Sequence, residues 1–289
     1  MVSSNNDGKR RLPQERSENP PPMRESDNDR RIVQFVYRYR ILSQKHVEML
    51  LERSPSTVQR LLRRLYDHRY LERLFLPVTT LGSSPALYIL DKRGVSMLQR
   101  MGIEVETNLP SKSLSSMFLD HTLAINTFRI AITQACQRQG YEIVRWLTDH
   151  DLKSDYDRVK VVGKQRAISL IPDSYFQLYV PERGTGHFFV ELDRGTMTTE
   201  RFADKVRAYV SYYKSNQFEQ RYRAKGFRVL TVVDGIGDKR VNNLFNAADR
   251  VGRIGRRFWF THLNLIDTSS VLTDAIWRVS GEPKRQSLL

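Results

Sequence analysis

Between Asp29 and Met101 the apolar residues return at helical spacing. Ile32, Phe35 and Val36 share one face of Asp29–Tyr39, and Val47, Leu50 and Leu51 share one face of Ser43–Glu52. A third helix opens at Ser54-Pro55: serine is a good N-cap whose hydroxyl can accept a first-turn amide, and proline costs little at the first helical position. Val58, Leu61, Leu62 and Leu65 face a core. Ser56, Arg60, Arg63 and Asp67 fall opposite, with Gln59 and Arg64 at the edges of that face. The period then changes. LERLFLPV and PALYIL are β-prone runs joined by a loop holding Gly82 and Pro85, which predicts a hairpin. Asp91-Lys92-Arg93-Gly94 leads into a further helix that buries Val95, Leu98 and Met101, with Gly102 as its C-cap.

Residues 104–116 are polar, contain a proline and read as a linker. Beyond them Phe118–Gln139 is a long amphipathic helix, with Leu119, Leu123, Ile130, Ala131 and Ala135 apolar and Gly140 ending it. Strands are predicted at Tyr141–Leu147, Ile168–Val180, His187–Asp193, Phe227–Val233 and Arg257–Ile266, and helices at Thr198–Lys214 and Asp238–Val251. Residues 148–166 are a charged irregular loop whose Asp155 and Asp157 are expected in solvent, and Val271–Val279 is helix-like. The order α-β-β-β-α-β-α-β predicts a mixed sheet flanked by helices. Residues 1–28 lack periodicity, contain Pro20–Pro22 and read as a disordered tail; 281–289 is a second polar tail. The domains expected are therefore 29–103 and 117–280.

Two short helices, a basic third and a hairpin are the layout of a winged helix-turn-helix, with Ser54–Leu90 as its second half. The third helix carries chemistry that suits a major groove: arginine pairs with guanine, glutamine with adenine, serine and threonine with phosphate or base edges. Lys45, Ser56, Thr57, Gln59, Arg60, Arg63 and Arg64 are the expected DNA contacts, and charge reversal at Arg60, Arg63 and Arg64 is expected to destroy affinity. The alternative is a protein-contact module with a solvated charged face.

Composition strengthens the nucleic-acid reading. The 289 residues carry a formal net charge of +15. Residues 29–103 hold 14 Lys/Arg against 6 Asp/Glu, whereas residues 1–28 hold five of each. The surplus therefore lies where the basic helix is. A single cysteine, Cys136, excludes an internal disulfide and a cysteine-cluster zinc site. No apolar run is long enough to span a bilayer and no signal-peptide segment is seen, so a cytoplasmic protein is expected. Neither a GxxxxGKS phosphate loop nor a dinucleotide fingerprint is present.

The second half offers carboxylates at strand ends. Asp173 follows Pro172 after an apolar run; Glu191 ends FFVE, and Asp193 shares its strand face. Such acids can hold Mg²⁺, and the metal can activate water against a phosphodiester. The plain alternative is a turn acid at Asp173 and an ion pair at Glu191. His121 is expected to be a capped or core histidine rather than a site residue.

The order strand, Pro172-Asp173, hairpin, Glu191, helix resembles the core of the PD-(D/E)xK nuclease superfamily, a restriction-endonuclease-like fold. That resemblance implies metal binding by Asp173 and Glu191 and a lysine two positions beyond the glutamate. Asp193 stands there instead, followed by Arg194, and Lys205 on the next helix is the substitute expected to supply the ammonium. Across residues 30 to about 265 the chain resembles the replication-relaxation family, most specifically in Leu119-Asp120-His121 and Glu191-Leu192-Asp193-Arg194-Gly195-Thr196. The resemblance implies a bacterial or plasmid-borne DNA-binding protein acting in replication or DNA relaxation of mobile elements, or in their regulation.

The expected protein is thus α+β or α/β, a winged helix followed by a nuclease-like mixed-sheet domain that binds double-stranded DNA. The competing expectation is an active Mg²⁺-dependent endonuclease or nickase, with Asp173 and Glu191 as metal ligands, Asp193 as an auxiliary acid and Lys205 positioning water. Without that activity no cofactor is expected. Plasmid replication or mobilisation proteins are candidate partners, no membrane is expected, and a homodimer is one option.

Overall fold

A computed structural model of the chain describes Leu12 and residues 14–76, 85–106, 109–110, 114–235, 237–252 and 255–289. It is an α+β protein whose chain divides into two compact units, Met1–Asn126 and Thr127–Leu289.

The first unit runs α1 (Asp27–Tyr39), β1 (Leu42–Ser43), α2 (Gln44–Leu51), α3 (Pro55–Asp67), β2 (Leu71–Phe75), β3 (Ala86–Leu90) and α4 (Lys92–Arg100). Residues 52–54 join α2 to α3, and Glu52 takes a left-handed conformation (φ 53°) to make the turn. The strands form an antiparallel sheet ordered β1-β3-β2, so Leu42-Ser43 is a short strand before it caps α2. Val58, Leu61, Leu62, Leu65 and Tyr66 of α3 are buried, as are Ile32, Val33 and Val36 of α1. Ser54 departs from expectation. Its hydroxyl makes no cap bond to α3 and is directed to Thr57 Oγ1 at 3.0 Å instead. Gly82 lies outside the described residues.

The expected disordered tail is a packed arm from Gln14 to Ser26. Arg16 lies 4.1 Å over the Tyr66 ring, meets Asp91 at 2.8 Å and Glu72 at 3.0 Å, and donates to the Tyr66 carbonyl. Tyr66 in turn donates to the Gln14 carbonyl and Ser17 N–H to Asp67. The arm's composition is polar, but its polar groups find fixed partners on the folded helices, which is what periodicity does not register.

The long helix α5 (Ser116–Gln139) starts in the first unit and ends in the second. Leu119 joins Ile41, Leu74, Leu87 and Ile89, and the buried Asn126 amide donates to the Tyr39 and Ile41 carbonyls at 3.0 and 2.8 Å. Those bonds satisfy the last carbonyl of α1 and one in the link that follows it.

The second unit continues with β4 (Glu142–Thr148), α6 (Asp149–Ser154), β5 (Asp157–Val159), β6 (Ile168–Leu170), β7 (Ser174–Val180) and β8 (Gly184–Asp193). There follow α7 (Thr199–Lys214), α8 (Gln217–Tyr222), β9 (Arg228–Val233), α9 (Asp238–Val251), β10 (Phe258–His262) and β11 (Arg278–Val279). The sheet is ordered β11-β10-β9-β8-β7-β4, with β8, β9 and β10 parallel and the outer pairs antiparallel. Tyr175, Phe189, Val229, Phe258 and Phe260 pack with α7 and α9 on one face. On the other, Phe128 of α5 meets Trp146 and Phe176, and Phe176 stacks on Phe188 at 4.8 Å.

Three sequence expectations give way here. Ile168–Val180 is two strands: Pro172-Asp173 breaks it, and β6 pairs with β5 in a separate ribbon. Asp157 is not left to solvent, since it accepts from the Tyr212 hydroxyl and from Arg221; Asp155 also meets Arg221. Val271–Val279 is turns ending in β11, because Trp277 is held by its indole N–H on the Val271 carbonyl and by backbone bonds to Gln286.

Candidate functional site

In the first unit the basic helix α3 divides its cations between structure and surface. Arg64 donates to both oxygens of Asp29 at 2.6 Å, and Asp29 is fully buried while closing the capping box of α1 with Ser26. Arg63 is tied to Asp67 at 3.0 Å and to the Glu15 carbonyl at 2.9 Å. Both guanidiniums are thus already engaged within the unit, while their side chains stay half-buried rather than enclosed. Arg60, Gln59 and Ser56 are exposed, as is Lys45 on α2; Ser56 pairs only with the neighbouring Ser54 hydroxyl, and Thr57 is half-buried. No carboxylate meets Arg60 or Lys45 among the described residues.

In the second unit, Glu191 and Asp193 point from β8 to the face covered by α7 and α9. Alternation of side chains on a strand puts them there together. Glu191 is buried and accepts from Lys205 Nζ and, at 2.5 Å, from the Tyr209 hydroxyl. Lys205 and Tyr209 are four residues apart on α7, one turn of one helix face. Asp173 sits between β6 and β7, where Leu192 N–H donates to it at 2.7 Å, and its charge is felt at both Glu191 and Lys205. Burial pushes the Glu191 carboxyl up to about 7; Lys205 and the Tyr209 hydroxyl pull it down and Asp173 pushes it further up. Burial works against the Lys205 ammonium, but Glu191 and Asp173 outweigh it and raise its pKa. Tyr209 is driven well above the usual phenol value by burial and by Glu191. A carboxyl that titrates near neutrality beside an ammonium can give or accept a proton at working pH.

Asp193 is differently placed. Arg240 of α9 grips it through Nε at 2.7 Å and Nη2 at 2.5 Å, and Gly195 N–H donates to it at 3.0 Å. It faces the same side as Glu191, but its oxygens are engaged by a bidentate guanidinium, not by the lysine. Arg194 is paired with Asp234 at 3.1 Å. Asp173, Glu191 and Lys205 are thus brought together; Asp193 is held apart by its own partner.

Residues 33–229 match the family model described as replication-relaxation, two thirds of the chain. The chain belongs to the replication-relaxation family. No curated protein matches it. The replication-relaxation segment runs from α1 to the start of β9 and so includes both the α3 surface and the Asp173, Glu191, Lys205 cluster. Arg240, β10 and β11 lie beyond it. No helix among the described residues is long and apolar enough to cross a membrane.

Neither Tyr209 nor Arg240 was among the residues expected to act at this cluster, although Tyr209 shares the Lys205 helix that carries the family resemblance. The four-residue step from Lys205 was signal enough for Tyr209. Arg240 reaches Asp193 from 47 positions away, and no local pattern announces such a pair.

Proposed function

We propose that this protein binds double-stranded DNA through a winged helix, with α3 in the major groove, and acts in replication or DNA relaxation of a plasmid or mobile element. The observation that carries this reading is the outer surface of α3: Ser56, Gln59 and Arg60 are exposed, Arg60 has no carboxylate partner among the described residues, and the helix is followed directly by β2 and β3. Arg60 and Gln59 supply base-edge chemistry; Lys45 and Ser56 supply phosphate contacts. Arg63 and Arg64 act indirectly, by fixing the angle of α3 on the arm and on α1. Electrophoretic retardation of duplex DNA tests the reading. Arg60→Ala with Lys45→Ala loses retardation while circular dichroism stays native; retained affinity in that variant refutes it.

A second reading, a nuclease-like domain that cuts DNA, is favoured by the meeting of Lys205 with Glu191. Mg²⁺ commonly takes one or two carboxylates and completes its shell with water and phosphate oxygens. Asp173 and Glu191 fit that donor set. The Thr231 hydroxyl, level with Glu191 on the adjoining strand, is buried without a hydrogen-bond partner, which leaves one more oxygen in need of a ligand. Asp173 and Glu191 would hold the ion, which would supply the Lewis acidity that lets a water lose its proton and act as nucleophile toward phosphorus. The chain's own part is to keep Lys205 on Glu191 and to orient that carboxylate through Tyr209. Among the described residues no group of three or more metal-ligating side chains is present, so water and substrate phosphate oxygens would complete the shell. Supercoiled plasmid with Mg²⁺ or Mn²⁺ separates the readings: nicks from wild type that vanish in Asp173→Ala support cleavage, and retarded but intact plasmid supports binding alone.

A further inference from the structure

The parallel strands of the second unit have two ends, and the Glu191 cluster uses only one of them. At the other end, and on the opposite face of the sheet, lies a cavity of about 610 Å³. Phe188, Arg228 and Trp259 sit side by side on β8, β9 and β10 there, since Phe188 is level with Arg228 and Trp259 with Leu230. Leu178, Val180, Phe188 and Leu288 line an apolar floor. Arg183, Arg228, Arg256 and Arg257 line the walls, and no aspartate or glutamate does.

The individual guanidiniums differ in how they are held. Arg228 lies 4.5 Å over the Trp259 ring and 5.8 Å over Phe188, and it donates to the Leu288 carbonyl. Its fork has five N–H donors. Among the described residues it meets no carboxylate, and burial together with the charge of Arg256 depresses its pKa. Arg257 stacks 3.7 Å over Tyr213, and Cβ atoms at Gly226 or Gly255 would press on its guanidinium at 3.3 and 3.2 Å. Two glycines thus leave the space that this arginine fills. Arg256 is partly compensated, by Glu282 at 3.2 Å and Gln286 at 2.8 Å. Arg183 is on the exposed β7–β8 turn.

Among the described residues Arg183 and Arg228 meet no carboxylate and Arg256 shares Glu282, so three guanidiniums beside an apolar floor leave positive charge that an anion can neutralise. The volume is that of a ligand pocket rather than a packing defect. Arginine forks match the oxygens of phosphate, and the apolar floor suits the sugar or base that a phosphate carries. We propose that this cavity binds a phosphate-bearing ligand of mononucleotide size, either a free nucleotide or the 5′-phosphorylated end of a nucleic-acid strand. It is a second nucleic-acid-chemistry site, separate from the α3 surface and from the Glu191 cluster.

The test uses the full chain and two probes: dAMP, and a short single-stranded oligonucleotide with or without a 5′-phosphate. Binding is followed by calorimetry in wild type, in Arg183→Ala/Arg256→Ala, and in Lys45→Ala/Arg60→Ala. The expected result is saturable one-to-one binding of a phosphate probe, weakened at least tenfold in the Arg183/Arg256 variant and unchanged in the Lys45/Arg60 variant. Saturation by dAMP with no preference for the phosphorylated strand assigns a free nucleotide; a preference for the 5′-phosphate assigns a strand end. Equal affinity in wild type and the Arg183/Arg256 variant, or no saturable binding of any probe, overturns the proposal. Both altered residues are on exposed segments, and native circular dichroism in the variant rules out unfolding as the cause of a loss.

Discussion

Glu191 makes the stability of the second unit fall as pH rises through the acidic range. Its carboxyl moves from 4.5 to about 7 on folding, chiefly because burial disfavours its charge. Between those values the folded state binds more protons than the unfolded one, so stability decreases with rising pH and the loss is complete above pH 7. At about 1.4 kcal/mol per pH unit, the displacement corresponds to about 3 kcal/mol. Lys205 does not contribute in this window, because its pKa is raised from a value already above 10. Glu191→Gln removes the titration; its one carbonyl oxygen can accept from Lys205 while its NH2 can donate to the Tyr209 hydroxyl oxygen. Near pH 4.5 wild-type Glu191 is protonated and resembles glutamine, so the two proteins should unfold alike. By pH 8 the variant should be the more stable by about 3 kcal/mol.

The assay is urea unfolding from pH 4.5 to 8, read by tryptophan fluorescence. Trp146, Trp259 and Trp277 are the protein's three tryptophans, and all belong to Thr127–Leu289, so the signal reports the second unit alone. This matters because a two-unit chain need not unfold in one step. Parallel stability profiles for wild type and Glu191→Gln across this range would falsify the buried-carboxyl account. A variant less stable than wild type at pH 8 would do the same, since it would show the Lys205 pairing to outweigh the burial cost.

Arg64→Ala leaves the fully buried Asp29 without its guanidinium and should destabilise the first unit by about 3–5 kcal/mol, seen as a lower melting temperature by circular dichroism; Arg60→Ala should change stability by less than about 0.5 kcal/mol. Gly94→Ala builds a Cβ 2.3 Å from the Tyr70 carbonyl, so α4 must shift. Overpacking of that kind costs about 1–3 kcal/mol, and a melting temperature equal to wild type would count against it. The Cys136 thiol, whose pKa burial raises to about 12, should resist a thiol-specific reagent at pH 8 in the native protein and react fully in denaturant.

The first unit was legible because its signals are local. The Val58, Leu61, Leu62, Leu65 stripe, the Ser54-Pro55 start and the change of period at Leu71 all act within one turn or one strand. The arm from Gln14 to Ser26 was not legible, since what orders it is Arg16 reaching Tyr66 and Asp91, contacts 50 and 75 positions away. The same division runs through the candidate cluster. Asp173 and Glu191 announce themselves at the ends of apolar runs, and Lys205 follows at a distance that one helix can return. The arginine-lined cavity had no sequence signature at all. Its four arginines come from a hairpin turn, a strand start and the loop before β10, and only the sheet brings them together.

Charge is where the structure refines the sequence reading, and the reason is physical. The basic surplus of residues 29–103 was taken as charge facing DNA. Several of those cations are already engaged within the unit: Arg64 on Asp29, Arg63 on Asp67, Arg73 over the Tyr66 ring at 4.4 Å, and Arg100, though exposed, on Glu25. A guanidinium already paired releases no counterion when a phosphate approaches, so it adds nothing to the salt dependence of binding. The slope of log affinity against log salt counts only phosphates newly neutralised, at about 0.9 per contact on duplex DNA. Lys45→Ala, which removes a proposed phosphate contact, should therefore reduce that slope by about one. Arg63→Ala should leave it unchanged in protein that is still folded, even if affinity falls. Equal slope changes in the two variants would return Arg63 to the interface.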